Sequence, residues 1–113
     1  MGPTADELDG YENAKVYEDR TVIRIFVRQT SDRAYPSGWR YTFHYGALSA
    51  GPETLDDGTI RRYDNAHEDT KGHERHVAPD PEPEHIEFPG IESLYEQFWD
   101  EIPKRRFGPS RNG

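Results

Sequence analysis

The sequence predicts an α+β domain, an antiparallel β-meander of four or five strands with one C-terminal helix packed on one face. Three observations predict it. Trp39-Arg40-Tyr41-Thr42-Phe43-His44-Tyr45 sets four aromatics at alternate positions, with Arg40, Thr42 and His44 between them, as a half-buried strand requires. Ile91, Leu94, Tyr95, Phe98, Trp99 and Ile102 recur at helical spacing between Pro89-Gly90 and Pro103, which predicts a helix of roughly twelve residues. Pro79, Pro81 and Pro83 separate the two patterns and impose an extended, non-helical connector.

The other elements follow in chain order. Residues 1–13 are polar and acidic without apolar periodicity, which predicts a flexible N-terminal arm ahead of a single domain over 14–103. In the run from Lys15 to Arg28, Ile23, Ile25 and Val27 alternate with Val22, Arg24, Phe26 and Arg28, and a turn at Glu18-Asp19-Arg20 divides the run into two strands. Ser31 to Gly38 reads as a loop, and Asp57-Gly58 suits a tight turn that closes the connection from Ala47. Thr59 to Asn65 is then a strand with Ile60, Arg62 and Asp64 on one side, and His73 to Val77 forms a further short strand after a polar turn. Residues 104–113, with Lys104, Arg105 and Arg106, read as a basic flexible tail.

Only 32% of the 113 residues are hydrophobic, so Trp39, Trp99, seven Tyr and five Phe must supply much of one modest core. The absence of cysteine rules out disulfides and thiolate metal sites, and no N-terminal apolar run resembles a signal or membrane segment. A cytoplasmic location is therefore expected. The 22 acidic residues outnumber 14 basic ones, giving a net charge of −8, and the basic set is eleven Arg against three Lys. This balance resembles that of proteins from salt-loving archaea, whose solvated carboxylates maintain solubility when charge is strongly screened. It also disfavours generic nucleic-acid binding, which depends on neutralising phosphates, so any RNA contact has to be local.

Three of the five histidines fall close together, in Arg62-Tyr63-Asp64-Asn65-Ala66-His67 and His73-Glu74-Arg75-His76. Two chemistries suit them. Imidazoles with the Asp64 carboxylate resemble a metal-ligand set, but His73 and His76 stand on opposite faces of a strand, which argues against a shared ion. General acid-base chemistry needs one imidazole to take a proton from a ribose 2′-hydroxyl and another to donate to the leaving oxygen, with Arg62 or Arg75 stabilising the phosphorane. No cofactor is expected for it. A hydrogen-bonded surface network, in a non-catalytic interaction domain, is the competing reading. His44, on the polar side of the aromatic strand, faces the same surface as Arg62 and Asp64 if the two strands are neighbours.

The Arg62-Tyr63-Asp64-Asn65-Ala66-His67 segment, the following His73-Glu74-Arg75-His76-Val77, the preceding aromatic strand and the C-terminal amphipathic helix together resemble the TumE family of small toxin-antitoxin proteins. The likeness covers about residues 20–102. The chain departs from the family in an acidic insertion between His67 and His73, in its His-Glu-Arg-His run and in the long proline-rich connector. The resemblance implies a toxin paired with a helix-turn-helix antitoxin and a role in translation or RNA metabolism. Its pattern falls on Arg62, Asp64, Asn65, His67, His73 and His76. The roles then expected are His67 and His76 as acid and base, Arg62 as phosphate contact and Asp64 as the group orienting a neighbouring histidine. His73 completes the candidate catalytic set, and Asn65, Arg75 and His44 are candidate substrate contacts.

Overall fold

A computed structural model describes residues 2–109 of the chain. Along the chain lie α1 (Ala5–Leu8), β1 (Tyr11–Val16), β2 (Thr21–Gln29), β3 (Trp39–Ala47), β4 (Thr59–Asp64), α2 (Glu68–Lys71), β5 (His73–Val77), β6 (Glu84–Ile86) and α3 (Ile91–Asp100). The strands form one sheet in chain order, β1-β2-β3-β4-β5-β6, and each neighbouring pair is antiparallel. The architecture is the expected meander with a helix packed on one face.

Strand alternation decides which face the helix covers. Ile25, Phe43, Tyr63 and Arg75 are cross-strand partners on one face, and Ile23, Val27, Tyr41 and Tyr45 lie beside them. The α3 side chains Ile91, Leu94, Tyr95, Phe98 and Trp99 bury onto this face. Phe43 lies at the centre, 5.8 Å between ring centroids from Tyr95 in an edge contact and 5.8 Å from Phe98. Aromatic area thus compensates for the small number of aliphatic residues. The helix ends at Asp100, earlier than the apolar period, because the residue before Pro103 is steered out of the helical region. Ile102 still packs into the core.

Three departures from the sequence-based expectation have local causes. Residues expected to form a flexible arm contribute α1, whose Thr4 and Glu7 make a capping box and whose Leu8 is fully buried, and then the edge strand β1. Beyond Tyr11 the side chains of β1 are exposed, so a paired edge strand has the composition of an arm. The proline-rich connector holds a sixth strand, β6, pairing His73 with Ile86, Glu74 with His85 and Arg75 with Glu84. These residues lie between Pro83 and Pro89 and keep the backbone N–H groups a ladder needs. The tail, finally, returns along α3. Tyr95 donates to the Phe107 carbonyl at 2.6 Å, the Phe107 ring packs on Trp99, Arg106 pairs with Glu96 and Asp100, and Lys104 pairs with Asp19. Residues 110–113 lie outside the described residues.

Between β3 and β4 the register slips, with Tyr45 opposite Arg61 but Gly46 opposite Thr59. Ile60 therefore packs against the core instead of sharing the side of Arg62 and Asp64.

Candidate active site

The face that α3 leaves open carries the polar residues of the central strands, Arg40, Thr42 and His44 of β3, Arg62 and Asp64 of β4, and Glu74 and His76 of β5. Two cross-strand rows follow from the register. One runs Arg24, His44, Arg62 and His76 across β2 to β5, and the next runs Phe26, Thr42, Asp64, Glu74 and His85 across β2 to β6. Residues two apart on a strand share a face, so Arg62 and Asp64 of β4 meet Glu74 and His76 of β5. Arg62 Nη2 lies 3.3 Å from His76 Nε2. Asp64 Oδ2 is 2.7 Å from Arg62 Nε, an ion pair without hydrogen-bond alignment, and 3.6 Å from His76 Nε2. Glu74 Oε1 stands 3.5 Å from the same imidazole nitrogen. Asp57, from the β3–β4 connection, completes the group at 3.3 Å from Arg62 Nη1.

Neutral His76 accepts from Arg62 at Nε2, whereas the imidazolium can donate from that atom to Asp64 or Glu74. The same atom is thus positioned both to accept a proton and to hold it. Asp57 is held below the usual carboxylate range by its hydrogen bonds to Thr59, with Arg62 adding to the effect. His44 is 9% exposed, with Nε2 3.2 Å from Thr59 Oγ1. Burial, helped by the charges of Arg24 and Arg62, pushes its pKa down to about 4. It is therefore a neutral imidazole at physiological pH.

Asp64, Glu74 and His76 could together hold a metal ion, since one ligand atom from each lies within 4.8 Å of the others. The Arg62 guanidinium already places a positive charge against two of the three. A divalent ion would compete with the Arg62–Asp64 pair.

The candidate residues do not all converge. Arg62, Asp64, His76 and His44 share the open face, while His73, three positions from His76 and so of opposite strand parity, sits on the covered face. His73 is 7% exposed, and its ring stacks on Phe88 (4.6 Å between centroids) and Tyr41. Its Nδ1 lies 2.7 Å from the Tyr41 hydroxyl and its Nε2 2.6 Å from Glu68 Oε1. Glu68 in turn accepts from the Ser37 hydroxyl at 2.7 Å, so this network ties α2 to the β2–β3 loop. His67 is exposed at the start of α2, in left-handed backbone conformation, with its ring stacked on Tyr35. Asn65 is fully buried; its Oδ1 accepts from the Tyr41 amide at 3.0 Å and its Nδ2 donates to the Trp39 carbonyl at 2.6 Å. Its side chain thereby continues the pairing with β3 where β4 ends. Arg75 lies on the covered face, bonded to Glu84 and near Glu101.

Glu74 and Asp57 were not among the expected site residues. Glu74 was accessible from period two, because it shares strand parity with His76. Asp57 belongs to a turn and carries no periodic signal.

A small antiparallel α+β domain with an arginine, histidine and carboxylate cluster on its uncovered sheet face is the class that fold and site define. Compared with known families, residues 3–106 match the one described as Toxin TumE, and the chain belongs to that family. The match extends N-terminally of the resembling segment to take in α1 and β1. No curated protein and no solved structure matches. No helix among the described residues is long and apolar enough to cross a membrane.

Proposed function

We propose that this chain is the toxin of a toxin-antitoxin pair and that its open-face cluster cleaves RNA without a metal ion. The observation that carries this reading is the contact of Arg62 with His76, flanked by Asp64, on the sheet face opposite α3, where Arg62 and His76 line a hollow with the β3–β4 connection and Pro79 and Pro81. His76 takes the proton of a ribose 2′-hydroxyl, and the 2′-oxygen attacks the adjacent phosphorus. The bond from phosphorus to the 5′-oxygen breaks, leaving a 2′,3′-cyclic phosphate and a 5′-hydroxyl whose proton comes from water. Arg62 stabilises the charge on the phosphorane, and Asp64 orients Arg62 and His76. His44 is a neutral contact beside the phosphate. His67, expected as the second proton-transfer group, lies on another element and has no role in this scheme.

Purified protein incubated with a fluorescently labelled RNA tests the reading. His76→Ala should slow cleavage on the order of 10²–10⁴-fold. An unchanged rate would remove His76 from the chemistry. A second reading, a non-catalytic interaction domain, is favoured by the neutralisation of Arg62 between Asp64 and Asp57, an arrangement common in purely structural networks. It predicts growth arrest without RNA cleavage.

The antitoxin is proposed to be a helix-turn-helix protein encoded beside the toxin. The acidic balance is read as adaptation to a salt-rich archaeal cytoplasm, where the RNA would be met.

A further inference from the structure

The β2–β3 half of the open face has a different charge pattern from the cluster beside it. Arg61, Arg62, Arg75, Arg106 and Lys104 each have a carboxylate partner. Arg24, Arg28 and Arg40, all exposed on the open face, have no ion-pair partner among the described residues. Arg28 lies directly opposite Arg40 in the register. Like charges in that position repel. In a chain with 22 acidic residues, only Glu12 of β1 shares this half of the face, opposite Phe26, and it pairs with none of the three.

An aromatic ring sits among these cations. Phe26 lies between Arg24 and Arg28 on the same strand face, each about 7 Å along the strand. The Arg40 guanidinium stands 5.8 Å from the Phe26 ring and 5.8 Å from the Tyr35 ring, held over both by cation–π contact. A hollow of about 450 Å³ opens beside the ring, lined in part by Ala14, Arg24, Phe26 and Thr42. Arg24 also begins the row that leads through His44 and Arg62 to His76.

We propose that this half of the sheet is a binding platform for single-stranded RNA, with Arg24, Arg28 and Arg40 on phosphates and Phe26 stacking a base. Unpaired cations complement a polyanion, and a ring between them suits a ligand that alternates charge with flat faces. An acidic peptide would use the cations and leave the ring without a stacking partner. The platform names the substrate class of the site proposed above, and rests on that reading only for cleavage.

Fluorescence anisotropy with a labelled twelve-nucleotide oligouridylate tests it, using full-length His76→Ala protein so that the probe stays intact. Binding should weaken with salt, with a log–log slope of about −2 for three phosphate contacts on a single strand. Replacing Arg24, Arg28 and Arg40 together by Gln should abolish binding, and Arg28→Gln alone, at an exposed site, should reduce the slope by about 0.7. Phe26→Leu, which keeps an apolar side chain but removes the ring, should weaken binding about 5- to 150-fold. Absent binding, binding indifferent to Phe26→Leu, or equal binding of a poly-glutamate peptide would each overturn the platform. If RNA binds here but protein with His76 intact leaves it uncut, the platform stands and the cleavage reading falls. If cleavage proceeds at the same rate in the Arg→Gln variants, cleavage stands and the platform falls.

Discussion

At the scale of single residues, the same amino-acid types take different parts according to strand parity. His73 and His76 are both partly or wholly withdrawn from solvent. Only His76 reaches the open face, and His73 instead joins Tyr41 and Glu68 beneath the sheet. Asn65 should prove structural in a direct test. Asn65→Ala leaves the Tyr41 amide and the Trp39 carbonyl without their buried partner, a loss of about 2–4 kcal/mol that urea denaturation would measure. His44 gives stability a pH dependence. Its folded pKa of about 4 lies below the ordinary 6.5, so the unfolded chain binds the additional proton as pH falls. The destabilisation is absent above about pH 6.5, grows as pH falls, and reaches at most about 3 kcal/mol near pH 4. His44→Gln should flatten the stability profile between about pH 6.5 and 5, above the range where carboxylates such as Asp57 and Glu68 contribute. An unchanged profile in that variant would show that another group titrates.

At the scale of elements, legibility depended on whether a pattern was two-sided. β3 and α3 were plain because each sets a buried aromatic face against a polar one. β1 was not, because an edge strand with one half-buried residue and five exposed ones resembles an arm. β6, three residues between prolines, falls below the length at which alternation is visible. The pairing of Arg62 with Asp64 followed from parity, but their convergence with His76 required the β4–β5 register, which pairs Arg62 with His76 and Asp64 with Glu74. The slip beside Gly46 left no comparable pattern. A Cβ at Gly46 would stand 2.7 Å from the Gly58 carbonyl oxygen and 3.0 Å from the His44 ring. Gly46→Ala should therefore cost about 1–3 kcal/mol and disturb His44, which its imidazole NMR shifts would report. On the helix, Leu94→Ala should remove about 2–5 kcal/mol, since Leu94 is fully buried against the sheet. A cost below about 1 kcal/mol would mean that α3 does not hold the core as described.

At the scale of the whole molecule, α3 covers one face of the sheet and the returning C-terminal segment packs along α3, while the candidate cluster lies on the other face. Composition predicts that an acidic chain engages a polyanion only locally, and the proposed platform answers to that by grouping Arg24, Arg28 and Arg40 on one part of the open face. If the acidic excess is a salt adaptation, the melting temperature should rise between low and molar KCl as carboxylate repulsion is screened. The open-face group around Arg62 and His76 is proposed to carry the toxicity of the chain. Growth of the native host after induction, with wild-type, His76→Ala and His67→Ala protein at equal folded levels, tests it most directly. Wild-type and His67→Ala protein should arrest growth, and His76→Ala protein should leave it normal. Equal arrest by His76→Ala would contradict that proposal.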